Sequence, residues 1–340
     1  FRPTLEMRWS YYGEVNRNPT FAARRRINTV ASDPKLGGKS RQRLINHSFL
    51  RQIPSSKYGK EHPEYFALRD GKRLAQVDND SYGTEPCLTH PDVLRIVTES
   101  VLQEIASQPD AANFSVSQND NAKYCQCPNC AAIDQREGTP MGANLFLVNA
   151  VADAVAKEFP DVKVGTLAYW YTRKPPKTMQ PRDNVQIQLC SIECCTPRPL
   201  DDPKSVLNRE FHEDMKAWSA ICDDIWVWHY NTNFAAYLLP FPNLRAIGPN
   251  TRFFSENNVK GVFMQANGNG HSGELSDLRN YVISRCLWHP SSDSWAVARE
   301  FCQLHYKEAA GPIWEYLEYI HDVALDHGAE PNCFGTAEEF

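Results

Sequence analysis

Short runs of β-type apolar residues alternate along the chain with longer stretches whose apolar positions recur at helical spacing. PDVLRIVTESVLQEIASQP puts Val93, Ile96, Val97, Val101 and Ile105 on one helical face, with Thr89 as the expected N-cap, Pro91 near the start and Pro109 as the stop. NFSVS then reads as a strand. ANLFLVNAVADAVAKEFPDVKVGTLAYWYT repeats the unit: Leu145, Val148, Val151, Val155 and Phe159 form a helical stripe, Pro160 marks the change, and Val162 to Tyr171 reads as a strand. NVQIQLCSIE, DIWVWHYNT and VKGVFMQAN are expected strands, with NREFHEDMKAWSAI and PNLRAIGPNTRFFSEN as the helices between them.

TLEMRWSYY and RLINHSF bring the expected strands to seven. Such alternation implies parallel strands with crossover helices. The expected fold is therefore α/β, a (β/α)8 TIM-type barrel, distorted or incomplete because no eighth strand is evident. Residues 1–290 would form a barrel of catalytic type, and 291–340 a C-terminal helical extension packed on it. Gly273 to His327 reads as helices. Arg51 to Pro86 is long and polar for a connection, as lids and disordered segments are.

Composition narrows the partners. With 42% hydrophobic and 23% charged positions the chain can bury a large core, and a formal net charge of −5 gives no basic footprint. The run Arg24 to Arg26 is too short to bind nucleic acid, so no nucleic-acid partner is expected. No apolar run approaches the ~18 residues of a membrane span. A chain starting at Phe1 suggests a processed or excised segment.

The expected strands begin apolar and end polar or aromatic: Asn46, His47 and Ser48; Gln118 to Asn121; Tyr169, Trp170 and Tyr171; Ser191 to Glu193; Trp228 to Asn231; Gln265 to Asn267. In a parallel barrel these ends share the face on which barrel enzymes place their sites. Flat rings with amides and a few carboxylates, and no phosphate-cradling loop, suit a neutral polyhydroxyl ligand. The candidate binding residues are His47, Asn119, Tyr169, Trp170, Tyr171, Trp228, His229 and Gln265. Cleaving a glycosidic bond needs a carboxyl group to protonate the leaving oxygen and a second group to stabilise or attack the anomeric centre. Asp120 and Glu193 are the carboxylates best placed for this. Each residue also has a plain structural reading: caps and loop anchors for the acids, barrel layers for the aromatics, satisfied hydrogen-bonders for the histidines.

Eleven cysteines, an odd number, leave at least one thiol unpaired or ligating. Cys125, Cys127 and Cys130 form C-x-C-x-x-C, which wraps a structural zinc if a fourth ligand approaches, and Cys87 is a plausible fourth. In an oxidising compartment the same residues would form disulfides. Cys194 and Cys195 are adjacent and expected to find other partners. No cofactor is expected to be required for catalysis.

HPEYFALRDGKR, CLTHPDVL, SVSQNDNAKYCQCPNC, VGTLAYWYTRKPPK, PRDNVQIQLCSIECC, IWVWHYNTNFAAYLLPFPNL and VKGVFMQA, in this order from about Leu44 to Pro290, resemble the domain of unknown function 4838 family, which includes glycoside hydrolase family 163. The resemblance implies a barrel, endo-β-N-acetylglucosaminidase action on complex N-glycans or glycoproteins, and a secreted, periplasmic or cell-surface location in glycan-degrading bacteria. It implies a substrate-assisted retaining mechanism, with Glu193 as acid and Asp120, beside Asn119, as the group that polarises the substrate amide. Two positions depart from the family pattern: His229 and Met264 stand where rim carboxylates are expected. That departure supports the alternative of a degenerate barrel that binds glycan without cleaving it.

Overall fold

The computed structural model describes residues 3–75, 84–270, 273–328, 330–336 and 338–339. Its strands, in chain order, are β1 (Met7–Tyr11), β2 (Leu68–Arg69), β3 (Lys72–Arg73), β4 (Asn113–Ser115), β5 (Lys163–Ala168), β6 (Val185–Cys190), β7 (Ile225–Tyr230) and β8 (Val259–Gln265). β2 and β3 form a short antiparallel hairpin. The other six are parallel. Two compact units divide them: Phe1–Ser40, Ser191–Ser219 and Ile225–Phe340 form one, Arg41–Cys190 and Ala220–Asp224 the other.

In the first unit the strand order is β1-β8-β7. Tyr11 and Tyr230 both stand level with Gln265, so three polar or aromatic residues finish their strands together. Gly261 of β8 is a fitted position, since a Cβ there would lie 2.1 Å from the ring of the buried Trp226. The helices Val206–Ser219, Leu244–Ser255, Ser276–Trp288, Ser294–Phe301 and Ala310–Asp326 belong to this unit, and the last three realise the helical reading of the C-terminal stretch.

In the second unit the order is β6-β5-β4. The helix Pro91–Ser107 buries the five stripe residues read from the sequence, and Met141–Glu158 buries Leu145, Val148, Val151 and Val155. Phe159 falls just past that second helix, as its C-cap. His90 caps the first helix, its Nδ1 accepting from Asp92 N–H at 3.2 Å. The expected cap, Thr89, instead turns its hydroxyl to the sulfurs of Cys130 and Cys127, at 3.3 and 3.8 Å.

The strand count is where the barrel expectation needs correction: six parallel strands, not eight, occur among the described residues. RLINHSF is not a strand, because side chains take over the ladder. Asn113 Oδ1 accepts from Arg43 N–H at 2.7 Å and its Nδ2 donates to Arg43 O at 3.0 Å, while Ser115 Oγ accepts from Asn46 N–H at 3.0 Å. Ile45 of this segment fills the space left by Gly165 in β5, where a Cβ would lie 2.4 Å from it. The long polar connection also has structure of its own, with helical turns at Phe49–Gln52 and Ser55–Tyr58 and the β2–β3 hairpin; its residues 76–83 lie outside the described residues.

Candidate active site

Beyond β4 the chain runs to Gln118, Asn119 and Asp120, and a side-chain clamp fixes its path. The Gln118 amide donates to Tyr169 O at 3.1 Å and accepts from the Thr172 hydroxyl at 2.5 Å. This ties the end of β4 to the turn after β5. The turn holds Trp170 in the left-handed region, with φ of +58°. That conformation costs a bulky L-residue on the order of 1–3 kcal/mol, and the indole it presents is 50% exposed.

Asp120 has its side chain 53% exposed. Its Oδ1 accepts from the Tyr169 hydroxyl at 3.0 Å and lies 3.8 Å from His47 Nε2. His47 Nδ1 is 2.7 Å from Gln118 O, and since a carbonyl only accepts, Nδ1 carries the proton and Nε2 faces the carboxylate. His47 and Tyr169 also meet edge to face, 5.8 Å between centroids. A carboxylate held by a phenol can polarise a polar hydrogen, and an exposed indole can stack on an apolar ring face.

Other residues assigned to a ligand by sequence have protein partners. Asn119 is buried: its Oδ1 accepts from Leu50 N–H at 3.0 Å, its Nδ2 donates to Thr84 O at 2.7 Å, and its N–H donates to Glu85 Oε1 at 2.9 Å. It is a pin that sets the backbone at Asp120. Tyr171 stacks on Tyr124 at 4.8 Å, and Arg69 lies over Tyr124 at 5.1 Å while donating to Ala122 O, which braces the loop after Asp120.

Glu85 is a site residue that sequence reasoning missed. Its Oε1 also accepts from Asn121 Nδ2 at 3.0 Å, so it grips the chain on both sides of Asp120. Burial pushes its carboxyl well above the usual carboxylate range, against the pull of its bonds from Asn119 and Asn121. Its one sequence signal is a charge two residues before Cys87, in a stretch without periodicity.

The expected cysteine cluster is present. The Sγ atoms of Cys87, Cys125, Cys127 and Cys130 lie within 4.8 Å of one another, Cys87 and Cys127 at 3.6 Å. Tetrahedral zinc, with bonds of about 2.3 Å, sets its sulfurs about 3.8 Å apart, so the cluster fits that ion. Hydrogen bonds from Cys125 and Cys130 hold the Cys87 thiol far below its ordinary range. Leu68 N–H donates to Cys125 Sγ at 3.3 Å, the kind of outer bond that orients thiolate ligands. At Arg73, burial opposes the charge, yet the Cys87 sulfur outweighs it and leaves the guanidinium above its usual value. The cluster could therefore hold a metal, and it knots the hairpin, the segment around Cys87 and the loop after Asp120.

In the other unit the strand-end residues are more enclosed. The Trp228 indole N–H donates to Gln265 Oε1, and its ring meets Phe263 edge to face at 5.0 Å. His229 is buried. Asn250 Oδ1 accepts from Leu200 N–H at 2.8 Å, which aims the Asn250 NH2 at His229 Nε2, 3.2 Å away; Nδ1 therefore carries the proton and donates to Ser191 Oγ at 2.7 Å. Burial pulls this imidazole down to about 4, so it is neutral at pH 7. Met264 is fully buried, 3.1 Å from Asn231 Nδ2. Glu193 is half-buried in the turn after β6, and its charge adds to the burial that raises the Cys333 thiol to about 12. Cys194 and Cys195 are both buried.

The comparisons with known proteins are informative at the family level. The chain belongs to the family described as Domain of unknown function (DUF4838), whose model matches residues 1–318. No curated protein matches it. Similar solved structures include a D-tagatose 3-epimerase-like protein, 12% identical over 62% of this chain and 73% of that one, with a TM-score of 0.35. Two others are glycosidases. One is a glucosidase from Croceicoccus marinus, 10% identical over 58% of this chain and 47% of that one, TM-score 0.32. The second is a glycoside hydrolase family 138 enzyme targeting pectin rhamnogalacturonan II, 10% identical over 92% of this chain and 41% of that one, TM-score 0.36. The chain spans less than half the length of either glycosidase. Among the described residues no helix is long and apolar enough to cross a membrane.

Proposed function

We propose that this chain is the catalytic region of a glycoside hydrolase acting on N-acetylglucosamine-containing glycans, of the endo-β-N-acetylglucosaminidase type on complex N-glycans. The observation that carries the reading is the Asp120 carboxylate, exposed yet held by the hydroxyl of Tyr169, whose chain neighbour is the exposed, strained Trp170. In substrate-assisted cleavage the sugar's acetamido oxygen attacks the anomeric carbon, the glycosidic C–O bond breaks, and the leaving oxygen takes a proton from an acid. Asp120 accepts the acetamido N–H and stabilises the positive charge that develops on that group. Trp170 supplies the stacking face. Glu193 is the acid by resemblance to the family. No metal takes part in these steps; the four cysteines would hold a structural zinc that braces the loop after Asp120. A secreted or cell-surface location agrees with such a substrate.

The test is mass spectrometry of glycans released from a biantennary complex-type glycoprotein. Release is expected from the unaltered protein, with losses of about 10²–10⁴-fold in Asp120→Asn and in Glu193→Gln. Glycan binding without release in the unaltered protein would instead establish the non-cleaving alternative, which the buried His229 and Met264 favour. Metal analysis of the purified protein, with one zinc per chain expected, tests the cysteine assignment separately.

A further inference from the structure

The run Arg24 to Arg26, set aside above as too short for nucleic acid, lines a cavity of about 400 Å³ together with Tyr281, Ser284, Arg285, Trp288 and His289. Its walls are guanidinium groups on aromatic faces. Arg26 lies 4.4 Å and Arg8 5.0 Å from the Trp288 ring centre, and Arg25 lies 4.8 Å from that of Tyr281. Such stacking orients a guanidinium but leaves its charge uncompensated.

The Glu300 carboxylate reaches this group. It accepts from the Tyr281 hydroxyl at 2.8 Å and from Arg285 at 3.3 Å. Arg8, Arg24, Arg25 and Arg26 form no ion pair with any described carboxylate. Burial first, then the neighbouring Arg26, lowers Arg8 to about 10, and burial lowers Arg25, with Tyr281 opposing and Arg285 adding to it. In a chain of net charge −5 this is a local excess of positive charge.

The backbone adds a second, independent observation. The helix Pro19–Arg24 ends with Arg26 N–H on Ala23 O at 2.9 Å and Ile27 N–H on Ala22 O at 3.0 Å. This bond pattern places its penultimate residue in the left-handed region, where glycine is the usual occupant. Here the residue is Arg26, with φ of +61°. The strain of a side chain at that position persists where surrounding structure or function requires it.

We propose that this cavity binds a tetrahedral oxyanion, sulfate or phosphate, either free or as an ester on a sugar, with Arg24, Arg25, Arg26 and Arg285 as its donors. Planar guanidinium forks match the paired oxygens of such groups, and charge-assisted bonds of this kind are the stronger ones. The site does not depend on the glycosidase reading, since none of its residues belongs to the Asp120 cluster.

The test is isothermal titration calorimetry at fixed ionic strength, adjusted with chloride, using sodium sulfate, N-acetylglucosamine 6-sulfate and unsulfated N-acetylglucosamine as probes. Saturable binding of sulfate or of the sulfated sugar is expected, with at least tenfold weaker binding in Arg26→Gln and in Arg24→Gln. Both positions are exposed, so an unchanged melting midpoint in the variants confirms that the fold is intact. Tighter binding of the sulfated sugar than of sulfate assigns the site to a carbohydrate ester, and equal binding assigns it to the free anion. No saturable binding, or binding that survives both substitutions, overturns the proposal.

Discussion

Glu85 in one unit and His229, within β7, in the other are both buried titratable groups with hydrogen-bond partners, and burial shifts each toward its neutral form. Their consequences for pH are opposite. Glu85 has its folded value raised above the unfolded one near 4.5, so the folded unit retains a proton that the unfolded chain releases. Its contribution is complete below about 4.5 and declines as pH rises toward the folded value. His229 is lowered from 6.5 to about 4, so unfolding takes up a proton. Its contribution is complete above 6.5 and is lost as pH falls through 4. His321, lowered by burial to about 3, adds to the same side. Glu85 thus favours its fold toward acid, while His229 and His321 favour theirs toward neutral pH.

The largest perturbation that would separate the two units is at the cysteine cluster. Cys127→Ser, or metal removal with a strong chelator, is expected to cost the 41–190 unit more than about 4 kcal/mol, because three chain segments meet there. Hydrogen exchange would show this as lost protection around Leu68, Cys87 and Asp120, with β7 and β8 unchanged. Next comes acid titration: between pH 6.5 and 4, urea unfolding should show a fall of about 3 kcal/mol attributable to His229, and His229→Gln should flatten it. A profile identical in that variant would end the pH contrast.

On the other arm, Glu85→Gln is expected to remove the decline of stability above pH 4.5, while Glu85→Ala costs about 1–3 kcal/mol by leaving Asn119 N–H without its acceptor. The smallest expected effect is Trp170→Gly, which keeps the left-handed turn and removes the stacking face. Glycan affinity should fall by about three- to tenfold with no loss in melting midpoint, measured by titration with a chitobiose-containing glycan.

Much of the architecture was legible because its cause is local. Helical stripes such as Val93 to Ile105 encode burial in their spacing alone, and the polar ends of β4, β7 and β8 follow from where apolar runs stop. What was not legible depends on partners distant in sequence. Thr89 has the chemistry of a cap, and only the position of Cys130 diverts it. Asn119 and His229 carry groups suited to a ligand, yet Thr84, Leu50, Ser191 and Asn250 take those groups first. Glu85 lies in a polar stretch where its burial has no signature. The C-x-C-x-x-C spacing did announce a cluster, since three of its four members are near neighbours in the chain.

The segment around Arg43 to Asn46 is tied to β4 by the side chains of Asn113 and Ser115, while Gly165 leaves room for Ile45. Main-chain ladders survive almost any amino-acid exchange, since every residue except proline brings the same amide. Stitching made by an asparagine, a serine and an empty glycine position can be undone one codon at a time. Among descendants of this chain, that flank is where the architecture is most free to open, shift or acquire another strand.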